Sequence, residues 1–294
     1  MKKTLLTICL VWMCFSLSAQ KIIDLSGKWS FSIDRQDNGE KEKWFSHTLN
    51  DCINLPGSMP EKLKGDEVTA KTQWTGSLYD SSYYYNPYME KYRKEGNIKF
   101  PFFLTPDKHY VGAAWYQKEV NIPADWKGER ILLFLERPHI ETTVWVNGQK
   151  TGMQNSLCVP HQYDITRYVR PGKCTITIRV DNRIKEINVG PDSHSITDQT
   201  QGNWNGIVGR ICLQTTPKTY FDDIQIYPEP EQKLARVKVV IKGTGTAKVK
   251  LSAESFNTDK KHIVPAIQQE IKLNKGVTET EMVLPLSLIH ISEP

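Results

Sequence analysis

A period of two, punctuated by tight turns, constrains this chain more than any other feature. Val144-Trp145-Val146 alternates into Asn147-Gly148 and continues through Gln149-Lys150-Thr151-Gly152. Asn-Gly between alternating runs is the strongest short-range hairpin signal, because both central residues of a type I′ turn need positive φ. Strand-like runs lie on either side, Arg130 to Glu136 before the hairpin and Cys174 to Val180 after it, so the hairpin belongs to a larger sheet. Leu25 to Ile33 alternates strictly, with Trp29, Phe31 and Ile33 on one face and Lys28, Ser30 and Ser32 on the other, the pattern of a half-buried strand. Trp115 to Ile122 ends at Pro123, and His161 to Thr166 leads through the turn Arg170-Pro171-Gly172-Lys173 to the next strand. Short strands at this spacing without intervening helices predict an antiparallel β-sandwich and exclude a parallel α/β sheet for this region.

Composition enters as a filter. Of 294 residues, 39% are apolar and 24% charged, which is ordinary for a folded globular protein and excludes disorder as the default. The formal net charge is +5, with Lys and Arg interleaved among Asp and Glu, so no basic block marks nucleic acid as a partner. Lys2-Lys3, the apolar run Leu5 to Phe15 and the small-residue end Ser16-Leu17-Ser18-Ala19 have the layout of a secretory signal cleaved before Gln20. The apolar run is about half the roughly 20 residues that a spanning helix needs, so no membrane span is expected. Trp12-Met13 are bulky where a lipidation site at Cys14 would want small residues. The expected location is therefore periplasmic or secreted.

Without the signal the cysteines are Cys52, Cys158, Cys174 and Cys212. An even count in an exported chain permits disulfides, with three full pairings open. Cys174 and Cys212, however, sit in phase with strand residues and read as small buried apolar groups. No CxxC or clustered His/Cys spacing suggests a metal, and no cofactor is expected.

Residues 58–112 break the pattern. Tyr79, Tyr83, Tyr84, Tyr85, Tyr88, Tyr92 and Tyr110 crowd together with Trp74. One helix is predicted, with Asn86 as N-cap, Pro87 at its first position, Glu90 and Lys94 four apart, and Gly96 as terminator. A long insertion in a compact domain is usually functional or disordered, and the density of rings argues against disorder. Such rings can stack on sugar C–H faces or can pack the loop onto the sandwich. Farther on, Asp198, Gln201, Asn203 and Asn205 surround Trp204 on a Gly-rich loop, a constellation suited either to a polyol or to turn formation. Beyond the linker Thr215-Thr216-Pro217, five short strands are predicted: 221–227, 235–241, 247–253, 267–273 and 278–284. A complete immunoglobulin-like sandwich has about seven.

Six stretches taken in order resemble the N-terminal part of glycoside hydrolase family 2, which includes β-galactosidases, β-glucuronidases and β-mannosidases. They are Leu25-Ser-Gly-Lys-Trp-Ser-Phe31, Trp115-Tyr116, Val144-Trp-Val-Asn-Gly148, Tyr163-Asp-Ile-Thr166, Val180-Asp-Asn182 and Asn203-Trp-Asn-Gly-Ile207. The resemblance implies an all-β chain: a jelly-roll (galactose-binding-like) sandwich over 20–216, then an incomplete immunoglobulin-like sandwich over 217–285. It further implies a catalytic barrel as this chain's partner. In the family that barrel bears two Glu residues of a retaining mechanism, whose carboxyl groups stand roughly 5–5.5 Å apart. The family's acid/base Glu follows an Asn, and no Asn-Glu pair occurs in this sequence. Asp222-Asp223 are adjacent on a strand, point to opposite faces and cannot form a catalytic couple.

Leu286 to Pro294 departs from the family pattern and resembles translated sequencing-adapter DNA, so 286–294 reads as a non-native tail; the alternative is a last strand over 286–291. The functional expectation is the N-terminal piece of an exported retaining glycosidase, non-catalytic by itself, with an oligosaccharide or glycoside as substrate. Asp198, Asn203, Trp204 and Asn205 are its candidate substrate-binding residues. The alternative is a stand-alone carbohydrate-binding protein.

Overall fold

The computed structural model describes residues 21–77, 80–185, 190, 192–255 and 262–286. The expected signal, Tyr79 and residues 287–294 of the expected tail lie outside these. Among the described residues sixteen strands follow in chain order. They are β1 (Ile22–Asp24), β2 (Gly27–Asp34), β3 (Asp51–Leu55), β4 (Gly57–Ser58), β5 (Asp66–Glu67), β6 (Lys108–His109), β7 (Ala113–Ile122) and β8 (Arg130–Pro138). Then come β9 (Glu141–Val146), β10 (Gln149–Asn155), β11 (His161–Asp164), β12 (Gly172–Asp181), β13 (Gly206–Thr216), β14 (Tyr220–Glu229), β15 (Leu234–Ser255) and β16 (His262–Pro285).

Two antiparallel sheets make the sandwich. One runs β1-β13-β8-β11 with β4 beside β13, and the other runs β10-β9-β12-β7-β2-β3. Each strand's alternation decides which side chains meet between them. Trp29 and Phe31 of β2, Tyr116, Val120 and Ile122 of β7, Val144 and Val146 of β9 and Ile176, Ile178 and Val180 of β12 face Leu133, Leu135, Ile207 and Leu213 of the opposing sheet. Each such buried aliphatic or Phe side chain contributes roughly 1.5–3 kcal/mol. The odd-phase residues are used as well. Trp115 and Trp145 point out of the six-stranded sheet and pack with Leu49, Trp44 and Phe45, so segment 44–49 covers that face. The β9–β10 turn is as its sequence requires, with Asn147 at φ 50° and Gly148 at φ 77°.

The second unit differs from its expected five strands. β14, β15 and β16 form one three-stranded meander, and two pairs of the expected short strands are fused into β15 and β16. Gly243 pairs with Gly276, and the register shifts between Gly243 and Gly245. Glycine tolerates the φ of 153° at Gly243 and 92° at Gly245, so the ladder bends there instead of ending. Val237, Val239 and Met282 on one side of the bend share a cluster with Val249, Ile271 and Leu273 on the other, so the long hairpin buries apolar surface against itself.

Cys174 and Cys212 are buried in strands as expected, and Cys52 and Cys158 are exposed; all four are free thiols. Burial pushes the Cys174 thiol up to about 11.

Candidate functional site

The 198–205 loop is the last part of the connection from β12 to β13 and leads directly into β13. Its turn is closed by the N–H groups of Thr200, Gln201 and Gly202, all donating to the carbonyl of Thr197 at 3.1 Å, and Gly202 supplies φ 75°. The four candidate residues then take different places.

Asp198 is 1% exposed. Its Oδ2 accepts the Thr75 N–H at 2.6 Å and its Oδ1 accepts the Asn203 N–H at 2.8 Å. Its backbone N–H donates to the Thr75 carbonyl at 3.0 Å, and its carbonyl accepts from Leu104 N–H at 2.8 Å. His109 Nε2 stands 3.6 Å from Oδ2. Asn203 is buried, and its Nδ2 donates to Thr75 Oγ1 and to the Asn182 carbonyl, both at 3.0 Å. Asn205 is 0% exposed; Nδ2 donates to the carbonyls of Gly112 and Val180 at 2.9 Å, and Oδ1 accepts from the Tyr116 hydroxyl at 2.7 Å. Burial holds that hydroxyl protonated, with its pKa well above the usual range.

Three of the four residues therefore have their side chains turned into the protein. The loop crosses the top of the sandwich, where the ends of β7 and β12 present the carbonyls of Gly112, Val180 and Asn182, and the Asn203 and Asn205 side chains donate to them. Trp204 lies between Asn203 and Asn205, is half-buried, and makes a T-shaped contact with the His139 ring, centroids 4.6 Å apart at 88°. Among the four candidates it alone is partly exposed.

The Tyr-rich insertion is built onto this loop. Thr75, Leu104 and His109 all belong to it, and β5 and β6 pair at its base. Tyr83, Phe100 and Phe103 form a private core with Trp74, Ile98 and Phe102 packed around them. The expected helix is present as a 3-10 helix over Pro87–Tyr92, shorter than predicted; Asn86 caps it by accepting the Tyr88 N–H at 3.0 Å, and Glu90 meets Lys94 at 3.4 Å.

Below the loop, a cleft of about 490 Å³ opens between the insertion and the sandwich, lined by Asp34, Asp66, Gln73, His109, Tyr110 and Arg183 among others. Its charged groups are paired. Arg35 donates to Asp66 at 2.5 Å, and Asp34 accepts from Trp115 Nε1 at 2.9 Å and Gly39 N–H at 2.8 Å. Arg183 joins a network in which Asp37, Glu141 and Asp181 meet Arg179, Arg183 and Lys185 at 2.6–3.4 Å. Burial pushes the Asp181 carboxyl up, but hydrogen bonds from Arg183 and Lys185 outweigh it and hold the group well below the usual carboxylate range.

Sequence reasoning missed Thr75, His109, Tyr116 and His139. Thr75 lies 123 residues from its partner Asp198, and no local pattern announces such a contact. Among the described residues, no group of three or more His, Cys, Asp or Glu could hold a metal ion, and no helix is long and apolar enough to cross a membrane.

The family model described as "Glycosyl hydrolases family 2, sugar binding domain" matches residues 22–217, the whole sandwich with its insertion and loop. The chain belongs to glycoside hydrolase family 2. The β-glucuronidase of Homo sapiens is 24% identical over 266 residues, covering 81% of this chain and 35% of that protein. The β-glucuronidase of Paenibacillus borealis is 25% identical over 222 residues, covering 70% and 31%. Among solved structures, an uncultured Clostridium sp. β-glucuronidase superposes with a TM-score of 0.54 at 19% identity, covering 92% of this chain and 40% of that one. Ruminococcus gnavus β-glucuronidase gives 0.53 at 17%, covering 91% and 39%. These structures share the fold. The family 2 chain described here spans about a third of the length of its curated relatives.

Proposed function

We propose that this chain is the sugar-recognition part of an exported retaining glycosidase acting on β-glucuronides, and that it does not hydrolyse them alone. The observation that carries the reading is the family 2 match over 22–217 in a sequence without an Asn-Glu pair. The names of the curated relatives favour a glucuronide, and the signal-like sequence of residues 1–19 supports export. A retaining site needs a nucleophilic carboxylate and an acid/base carboxyl roughly 5–5.5 Å apart. Asp198 is placed away from such a couple, being 1% exposed with each oxygen accepting a backbone N–H.

Within this reading the four loop residues divide their work. Trp204 offers a half-open ring to the sugar, while Asp198, Asn203 and Asn205 are positioning residues that fix the backbone carrying it. The contact would be one side of a composite site, so affinity for a monosaccharide should be roughly millimolar. The test is a titration of the purified chain with methyl β-D-glucuronide, galactoside and mannoside, observing the indole N–H of Trp204 by NMR. A shift that saturates with the glucuronide and is weaker with the others supports the assignment. No perturbation of Trp204 by any of the three removes it.

A further inference from the structure

The insertion contains a feature that the 198–205 loop does not use. A groove of about 870 Å³ runs between segments 67–71, 93–98 and 106–107, with Val68, Ala70, Ile98 and Pro106 supplying apolar walls. Its size falls within the range of small-ligand sites. The charged side chains at its edge nearly cancel: Lys71 and Arg93 against Glu67, Glu95 and Asp107, with Glu67 paired to Lys108.

Two contacts tie this groove to a set of open rings. The Tyr84 hydroxyl donates to the carbonyl of Ala70 at 3.3 Å. The Arg93 guanidinium donates to the carbonyls of Tyr83 and Asn86, the residues flanking the Tyr84-Tyr85 pair. Beside them Tyr85 is 73% and Tyr88 85% exposed. Their mount is packed: Tyr83 beneath is fully buried, its hydroxyl donates to the Tyr92 carbonyl at 2.9 Å, and its ring stacks on Phe100 at 4.5 Å. A segment that buries Tyr83, Phe100 and Phe103 in a private core, yet holds Tyr85 and Tyr88 out beside them, presents those two as a contact surface.

We propose that the groove and the Tyr85/Tyr88 rings form a second carbohydrate site, which takes a neutral chain of β-linked pyranoses. Pyranoses with equatorial hydroxyls offer flat C–H faces to aromatic rings and hydroxyl edges to polar groups, which matches tyrosine faces beside an apolar groove with a charged rim. The near balance of charge gives a polyuronate no net attraction. Tyr85 and Tyr88 are three residues apart, at most about 11 Å along the chain, a span that consecutive sugar units can cover. The inference rests on the reading that this protein handles carbohydrate, but it is measured by binding and not by turnover, so the two can fail separately.

The test is affinity electrophoresis of the intact chain in gels containing hydroxyethyl cellulose, soluble arabinoxylan or polygalacturonate, with sedimentation in parallel. At least one neutral polymer should retard the wild type, and polygalacturonate should retard it less. Tyr85→Ala/Tyr88→Ala should weaken the retention roughly tenfold, the worth of two aromatic contacts, without changing Tm. Ala70→Trp, which fills the groove, should weaken it independently. Absence of retention by both neutral polymers, unchanged retention in both variants, or stronger retention by polygalacturonate would overturn the proposal. A dimer that the double Tyr variant dissociates would overturn it too, by assigning the rings to a second copy of the chain.

Discussion

Asp198 and Thr75 bond to each other in both directions: the Thr75 N–H donates to the Asp198 carboxylate at 2.6 Å, and the Asp198 N–H donates to the Thr75 carbonyl at 3.0 Å. This pair fastens the insertion to the loop that carries Trp204. Asp198→Asn retains one acceptor where the carboxylate offers two, and leaves either the Thr75 or the Asn203 N–H without its charged partner. The expected loss is about 2–3 kcal/mol, read by urea unfolding, with amide exchange quickening first at Thr75 and Asn203.

Asn205 answers three groups at once, the carbonyls of Gly112 and Val180 and the hydroxyl of Tyr116. Asn205→Leu matches its bulk and removes every one of those bonds inside a sealed site. A loss of about 3 kcal/mol or more is expected in the same unfolding assay. Trp204→Phe, in contrast, should leave stability within about 1 kcal/mol, because the ring is half-buried and the flanking amides remain.

Acid should weaken the protein through Asp181. Its folded pKa lies below the value of about 3.9 expected unfolded, so the stability it supplies is fully present above that value and is lost as pH falls through the lower folded one. Asp181→Asn should remove this acid leg. It should also destabilise at pH 7 by about 3 kcal/mol, since Arg179, Arg183 and Lys185 would then share only Asp37 and Glu141.

A second acid leg begins at milder pH. Burial pushes His139 down to about 4, while an unfolded histidine titrates near 6.5. The unfolded chain therefore binds the extra proton first, and stability declines as pH drops from about 6.5 toward 4. Burial lowers His161 as well, so it adds to the same decline. His139→Phe keeps an aromatic ring against Trp204 and should flatten this part of the pH–stability curve without abolishing it.

What was legible in the sequence follows from the range of the forces involved. Alternation reports burial one strand at a time, so the inward faces of β2, β9 and β12 and the turn at Asn147-Gly148 could be read locally. The outward packing of Trp115 on Trp145 depends on segment 44–49 folding over them, which no period encodes. Five strands were expected beyond residue 217; Gly243 and Gly276 lie between the runs that fuse, and paired with each other they carry the ladder on. The 198–205 loop was legible as a special constellation, but not the direction of its side chains. Asp198, Asn203 and Asn205 turn inward because their partners at Thr75, Asn182, Gly112, Val180 and Tyr116 arrive from distant strands. Composition could not separate the insertion's rings either: Tyr83 sits at the centre of a core and Tyr88, five residues later, lies open.

The most direct test of sugar recognition without chemistry is an aryl-glycoside assay on the purified chain. With 4-nitrophenyl β-D-glucuronide, the account predicts no release of nitrophenol above the blank, while the Trp204 indole signal still shifts on titration. Turnover by the pure chain, abolished by a single carboxylate substitution within residues 22–286, would contradict it.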